Sequence, residues 1–130
     1  MENGIIPPNA IEFEKLVLGS MLIDYNGIDK AITLLGNDSS VLYDPRHREI
    51  YRAIICMKSK NTPVDLLTLI QQLKKTNELG NAGGDNYLID LTMGVSSSAH
   101  IEYHCRVISE KFFQRKMIET CTRLISAGVS

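Results

Sequence analysis

The sequence predicts an all-α fold, a compact bundle of about five short helices followed by one long helix. Apolar residues recur at the three- and four-residue spacing of an amphipathic helix along most of the 130 residues. Glycine, proline and capping side chains divide this pattern into separate segments. The sequence contains no convincing apolar–polar alternation of the kind that marks a half-buried strand, and no internal repeat or low-complexity tract.

The first two helices are expected before residue 36. Asn9 is the predicted N-cap of the first helix, and Glu12 follows three residues later, which is the spacing of a capping box. Gly27 and Gly36 bracket a short second helix. The apolar face of the first helix comprises Ile11, Leu16, Leu18, Met21 and Leu22.

The third helix is predicted from the segment YDPRHREIYRAI, whose crowded charges at residues 44–49 raise the question of an active site. Asp44 directly precedes Pro45, and these residue types favour the N-cap and the first position of a helix. An aspartate there also suits the positive end of the helix dipole. Because the sequence offers no obvious nucleophile to join these charges, we interpret the segment as a helix start with several charged side chains facing solvent.

The fourth and fifth helices are predicted on either side of a glycine-rich stretch. Asp65 is the expected N-cap of the fourth helix, within TPVDLLTLIQQLKK. The stretch LGNAGG ends that helix, because glycine readily adopts the left-handed conformation of a helix end, and DNYLIDLT predicts the fifth. Since GNAGGDN follows a helix and lacks a GK[ST] sequence, we interpret it as a turn and not as a phosphate-binding loop.

The long helix is predicted from about residue 99 to about residue 126. Such a helix is about 40 Å long, whereas a head formed by the preceding residues is about 28 Å wide. We therefore expect its distal half to project, with the alternative that it folds back onto the core. The apolar stripe of Ile101, Cys105, Ile108 and Phe112 is expected to continue, after a small shift, through Met117, Cys121 and Leu124.

A projecting helix with an apolar face needs a partner. Contact between chains is therefore expected through Val107, Phe112, Met117, Ile118 and Leu124. The sequence is divided into a helical head, residues 1–97, and an arm, residues 98–130. Because the arm reaches the helix stop SAGVS, it is expected to be the first arm of a helical hairpin, truncated before the second arm.

Composition and charge indicate which partners and which cellular location to expect. The net charge of −1, from 14 basic and 15 acidic residues, does not point to a nucleic-acid or membrane partner. No apolar run approaches the roughly 20 residues of a membrane span, and the N-terminus lacks the pattern of a signal peptide. The cysteines are odd in number and form no CxxC pair, which favours reduced thiols and a cytoplasmic location: Cys56, Cys105 and Cys121.

A histidine pair is the other candidate for chemistry. His100 and His104 are four residues apart on the predicted long helix, so their rings can share one face as in helical zinc sites. Glu102 does not follow the first histidine directly, as the zincin pattern requires. We interpret the pair as two surface histidines and predict no metal site and no catalytic residue, with a metal-dependent enzyme kept as an alternative.

Five segments, in order, carry a family resemblance: PPNAIEFEKLVLGSMLID, YDPRHREIYRAI, PVDLLTLIQQLKK, GGDNYLIDL and SSSAHIEYHCRVISEKFFQRKMI. Together they resemble the N-terminal domain of bacterial DnaB-type replicative DNA helicases, from residue 7 to about residue 128. The resemblance implies a non-catalytic collar domain that associates with other subunits and recruits primase. It also implies a parent protein that is an ATP-dependent helicase, unwinding duplex DNA.

The resemblance further implies where cofactors and partners bind. This chain has no Walker A lysine, so no cofactor is expected here, and ATP and Mg²⁺ are expected in the parent's C-terminal domain. Single-stranded DNA would contact the parent only through that domain. Dimers through the arm, a hexamer of the parent and the C-terminal domain of primase are the expected partners.

Four positions match the family's primase-docking surface: Glu12, Tyr87, Ile118 and Leu124. Two of them have an equally good structural interpretation. Glu12 fits the capping box, and Tyr87 fits a core aromatic residue with its hydroxyl at the rim. The alternative function is a free-standing helical domain that binds nucleic acid or acts as an adaptor.

Overall fold

The computed structural model describes residues 5–128, and every regular element in that range is helical, as the sequence predicts. Five short helices precede one long helix, and a 3₁₀ turn at Ser39–Val41 lies between the second and third helices. The helices are α1 (Ile11–Ile23), α2 (Tyr25–Leu35), α3 (Pro45–Ser59), α4 (Leu66–Lys75), α5 (Gly84–Met93) and α6 (Ile101–Ser126).

Helix α1 lies at the centre of the bundle. It packs against α2, α3, α5 and α6, while α4 closes the bundle by packing on α3 and α5. Gly19 lets α1 and α5 cross closely, because a Cβ at this position would lie 2.3 Å from the carbonyl oxygen of Leu91. The core is mostly apolar and includes Val17, Leu18, Met21, Ile28, Ile50, Ile54, Leu69, Leu73 and Leu88.

Two of the three predicted caps have the expected geometry. The Asp44 carboxylate accepts the backbone N–H of Arg46 at the start of α3. Asp65 forms a reciprocal capping box with Thr68 at the start of α4. Each pair satisfies backbone donors that the first turn of a helix leaves without an intrahelical partner.

The prediction that Asn9 caps α1 is wrong. The N-cap is Ala10, which has no side-chain capping bond, and the Asn9 side chain instead donates to the carbonyl oxygen of Pro7. Its oxygen accepts only a long, 3.4 Å hydrogen bond from the N–H of Ile11. The Glu12 carboxylate pairs with Lys15 on the next turn, so the predicted capping box is absent here.

Helix α2 begins before Gly27, the residue predicted to bracket it. Its N-cap is Asp24, which accepts the N–H of Asn26. The same carboxylate also accepts the hydroxyl of Ser98, which ties the loop before α6 to the junction of α1 and α2. One side chain thus fixes both the start of α2 and the approach to α6.

The first half of α6 belongs to the core of the bundle. Ile101, Cys105 and Ile108 are buried where α6 packs against α1 and α2. Farther along, the Arg115 guanidinium donates to the carbonyl oxygens of Pro8, at 2.9 Å, and Val41, at 3.0 Å. Contact with the head therefore extends to about the middle of the helix.

The second half of α6 leaves the head, and residues 119–128 are all exposed. The buried stripe was expected to continue through Met117, Cys121 and Leu124, but all three side chains are exposed. At 3.6 residues per turn Met117 and Leu124 lie on average about 140° around the helix axis from Ile101, Cys105 and Ile108. The apolar pattern therefore switches faces partway along the helix.

The five predicted contact residues on the arm divide between two environments. Val107 and Phe112 are partly buried and pack against the head, so only part of each side chain is open to solvent. Ile118 is half-buried, whereas Met117 and Leu124 are exposed. The division into head and arm at residue 97 stays a prediction, to which the structure adds that early α6 shares the head's core. No helix between residues 5 and 128 is long and apolar enough to cross a bilayer.

Candidate functional site

A pocket of about 360 Å³ lies between α1 and α5. It brings together Glu12 and Tyr87, two residues that the sequence proposed for partner binding and that lie far apart in the chain. Gly94, at the end of α5, completes one side. The lining combines carboxylates, one ammonium group and apolar side chains, from Glu12, Lys15, Leu16, Tyr87, Asp90, Leu91 and Gly94.

The Tyr87 ring is enclosed on its flanks. Gly83 has a φ of +100°, and a Cβ there would lie 2.7 Å from Tyr87 Cδ2, so a glycine is needed beside the ring. The guanidinium carbon of Arg46 lies 4.1 Å from the ring centroid, within the range of a cation–π contact. Arg46 is held in turn by the Asp44 carboxylate, with Nη2–Oδ2 at 2.8 Å. The N-terminus of α3 thus supports a wall of the pocket.

Behind the pocket lies a buried chain of hydrogen bonds. His47 is completely buried, and its Nε2 lies 2.6 Å from the Tyr87 hydroxyl. Its Nδ1 lies 2.7 Å from Oε1 of Glu14, which is also buried. The Glu14 carboxylate further accepts the backbone N–H groups of Tyr43, at 2.7 Å, and Asp44, at 3.3 Å. The chain therefore joins α1, α3 and α5.

The carboxylate fixes the direction of one of these bonds. Because a carboxylate only accepts, His47 Nδ1–H donates to Glu14, whereas Nε2 is bonded to the Tyr87 hydroxyl. Burial, opposed by the nearby Arg46 guanidinium, raises the pKa of Tyr87, so its hydroxyl keeps its proton at neutral pH. Among the described residues, no buried side-chain nitrogen or oxygen lacks a hydrogen-bond partner.

Sequence reasoning missed both Glu14 and His47. His47 was grouped with the solvent-facing charges of the third helix, and the Tyr87 hydroxyl was placed at the rim, whereas it points inward. A signal was available, because His47 precedes Ile50 by three residues and Ile54 by seven, which places it on the buried stripe of α3. Glu14 stands in the same relation to Val17 and Met21 on α1.

The pair His100 and His104 lies away from this pocket, at the start of α6. His100 is exposed at the start of α6, and His104 packs on Phe13 with ring centroids 5.0 Å apart. Burial and the neighbouring His100 lower the pKa of His104. Within the part of the chain that the structure describes, no three histidine, cysteine or acidic side chains cluster as metal ligands would.

A second surface lies on the exposed half of α6. Phe113, Met117 and Leu124 lie within about 40° of one another around the helix axis, and we call them the distal stripe. Their exposed fractions are 63%, 52% and 46%. Ile125, which is 74% exposed, widens the apolar surface on one side. Large apolar side chains exposed together in this way indicate a surface for contact with another chain.

Comparison with known proteins identifies relatives along nearly the whole chain. Residues 6–110 match the family described as the DnaB-like helicase N-terminal domain. The chain is 45% identical over 122 residues to the replicative DNA helicase DnaB of Rhodothermus marinus, covering 94% of this chain and 13% of that protein. It is 33% identical over 126 residues to the replicative DNA helicase DnaC of Bacillus subtilis, covering 97% of this chain and 27% of that protein.

Solved structures of similar fold agree with these relatives. The crystal structure of the N-terminal domain of DnaB helicase from Mycobacterium tuberculosis has a TM-score of 0.90 and 29% identity, covering 96% of this chain and 85% of that chain. A DnaB-like replicative helicase, solved in a study of its interactions with primase, has a TM-score of 0.77 and 25% identity, covering 91% and 27%. The chain spans 13% of the length of the Rhodothermus marinus helicase and 27% of the length of the Bacillus subtilis helicase.

Proposed function

Because the chain belongs to the DnaB-like helicase N-terminal domain family, we propose that it is a non-catalytic scaffold for subunit association and primase recruitment at the replication fork. The whole protein is proposed to be a cytoplasmic, hexameric, ATP-dependent DNA helicase. In that protein ATP, Mg²⁺ and single-stranded DNA would bind outside these residues, and the domain described here would contribute to a collar.

The observation that carries the proposal is the distal stripe. Its three side chains are exposed and do not contribute to the core of the head. Burying one such side chain contributes on the order of 1.5–3 kcal/mol. In a symmetric pair each residue counts twice, once on either side of the two-fold axis. A short stripe can therefore support association between chains.

Recruitment of primase rests on two supports. One is the similar helicase whose structure was solved in a study of its interactions with primase. The other is the pocket between α1 and α5, which contains Glu12 and Tyr87, both proposed as primase contacts. A concave site with an aromatic wall and a few charged groups suits a protruding side chain of a protein partner.

The charges of α6 do not favour the alternative of nucleic-acid binding. Arg106 pairs with Glu102, and Lys116 pairs with Glu119, along the helix surface. Arg115 is directed into the head, where it donates to two carbonyl oxygens. A helix that reads or binds DNA usually concentrates its basic side chains on one free face.

The experiment is a pair of binding measurements on this chain. Light scattering over a concentration series should show a reversible monomer–dimer equilibrium, and calorimetry should show saturable binding of the C-terminal domain of the primase from the same organism. A single-stranded oligonucleotide serves as the comparison and should not bind. If the chain stays monomeric at all concentrations and takes up no primase domain, the proposed function is wrong.

A further inference from the structure

We infer that His47 is a positioning residue for the pocket between α1 and α5: it holds the Tyr87 hydroxyl from inside the protein and thereby sets the affinity for the partner. The inference rests on the proposed function, because it takes the pocket to be the site of primase binding. It goes beyond that function by assigning a role to a buried side chain that no partner can touch.

The ring and the hydroxyl of Tyr87 lie in different environments. Its ring lines the pocket, whereas its hydroxyl is bonded to His47 Nε2 at 2.6 Å inside the bundle. The ring planes of the two residues are 13° apart with centroids 5.9 Å apart, so the rings meet nearly end to end. A bond at the far end of the side chain restricts rotation of the ring about its two side-chain torsions. The pocket wall is therefore pre-organised before a partner arrives, which favours binding.

The Glu14 carboxylate holds His47 in place. Glu14 accepts from its Nδ1, and the same carboxylate is anchored by the backbone N–H groups of Tyr43 and Asp44. Glu14 also lies two residues from Glu12, on the helix that forms the opposite wall of the pocket. The imidazole thus connects both walls, one on α1 and the other on α5.

Arg46 makes the other contact with Tyr87. Arg46 covers the ring from outside, but its side chain is 43% exposed and points partly into water. Cation–π contacts at exposed sites contribute little compared with a buried, charge-supported hydrogen bond. The orientation of Tyr87 therefore depends chiefly on His47.

The test separates the two bonds of His47. The side-chain amide of an asparagine overlaps Nδ1 of histidine but does not reach Nε2, so His47→Asn keeps a donor for Glu14 and loses the bond to Tyr87. Tyr87→Phe removes the same bond from the other side. Calorimetry with the primase C-terminal domain should show about threefold to tenfold weaker binding for each variant, as for loss of one hydrogen bond.

A double-mutant cycle distinguishes positioning from general loss of structure. The variant carrying both changes should bind no more weakly than either single variant, because both remove one and the same bond. If the two losses multiply, or if His47→Asn binds as tightly as the original chain, the inference is wrong while the proposed function stands. If the original chain does not bind the primase domain at all, the proposed function itself fails and the inference falls with it.

Two further measurements complete the test. Tyr51→Phe is the matched control, because it removes another buried hydroxyl bond, to the carbonyl oxygen of Gly36 at 2.6 Å, from a residue that does not line the pocket. It should lower the urea midpoint and leave the affinity unchanged. In NMR spectra of the free chain, the Tyr87 hydroxyl proton should exchange slowly and become fast in His47→Asn. Fast exchange in the original chain would overturn the inference without any partner present.

Discussion

Asp44 uses one carboxylate for two tasks at the start of α3. Oδ1 accepts the backbone N–H of Arg46 at 2.9 Å, and both oxygens bond the Arg46 guanidinium that covers Tyr87. Its neighbour His47 is buried and bonded to Glu14. The charged cluster therefore starts a helix and supports a pocket wall, and its residues need no catalytic role to account for their positions.

The cap makes a measurable contribution to stability. Asp44→Ala should lower the free energy of unfolding by about 0.5–2 kcal/mol, because the N–H of Arg46 loses its acceptor. Asp44→Asn is the matched control, since its amide oxygen can still accept that N–H. Urea denaturation should therefore show a smaller loss for Asp44→Asn. Equal losses in the two variants would mean that the ion pair with Arg46, and not the cap, stabilises the helix start.

The same carboxylate predicts a dependence of stability on pH. Burial tends to raise the pKa of Asp44, but the hydrogen bonds from the Arg46 side chain and backbone outweigh it and hold the pKa below its usual value. A pKa that is lower in the folded state gives stabilisation that is present above the unfolded value, about 3.9, and lost as the pH falls through the folded value.

The lowered pKa of Asp44 predicts how stability in urea should change with pH. The advantage of the original chain over Asp44→Asn in urea should be constant near neutral pH and shrink below about pH 4. Because Asp24 and Asp38 also have lowered pKa values, through hydrogen bonds from Ser98 and from the backbone of Ser40, both proteins should lose some stability in acid. A gap between the two that stays constant down to pH 2 would contradict the assignment to Asp44.

Helix α6 has two halves in different environments. The first half packs on the head through the buried residues Ile101, Cys105 and Ile108. Near the middle of the helix, Arg115 donates hydrogen bonds to the carbonyl oxygens of Pro8 and Val41. Beyond residue 118 the side chains of α6 are exposed. The exposed apolar residues of this half lie on a different face of the helix from the buried residues of the first half. A substitution in the second half should therefore affect contacts between chains and leave the fold of the head intact.

The distal stripe allows a matched pair of substitutions. Leu124→Asp places a charge in the stripe and should shift the monomer–dimer equilibrium toward monomer by at least tenfold in dissociation constant, since about 1.4 kcal/mol is tenfold. Thr122→Asp adds the same charge on an exposed residue about 160° away around the axis and should leave the equilibrium nearly unchanged. Light scattering measures both, with circular dichroism as the check on helix content. Dimers that survive Leu124→Asp would exclude the stripe as the interface.

At the scale of the whole molecule, we propose that the bundle is a scaffold. Its surfaces are a pocket with an organised wall and a helix that reaches beyond the head. The 130 residues contain no GxxxxGK[ST] sequence, the loop that cradles nucleotide phosphates. We propose that nucleotide binding in the whole protein takes place outside this chain.

That proposal predicts the outcome of a nucleotide titration. Isothermal titration of this chain with ATP and Mg²⁺ should give no heat beyond dilution, and no phosphate should be released on prolonged incubation. A dissociation constant in the micromolar range would show that the domain binds nucleotide by a means that its sequence does not reveal, and the scaffold would then be an incomplete description.

The sequence by itself determined the features that depend on near neighbours. Helix content and the caps Asp44 and Asp65 depend on contacts between residues about four positions apart or fewer. The prediction that the glycine-rich stretch LGNAGG ends α4 was wrong, because the helix ends at Lys75 and the left-handed residue is Asn77, with a φ of 62°, ahead of that stretch. The prediction for Asn9 was wrong because its side chain found a competing partner in the carbonyl oxygen of Pro7.

Only the tertiary structure decided how distant residues meet. His47 joins Glu14, 33 positions earlier, and Tyr87, 40 positions later, and each bond exists only because α1, α3 and α5 pack together. The place where α6 leaves the head depends likewise on where the neighbouring helices end. Apolar spacing shows that a face is buried against something, but the same pattern suits a core, a partner or both in succession, as on α6. The identity of the neighbour is a property of the packed bundle, because burial is set by what lies opposite a side chain and not by what precedes it.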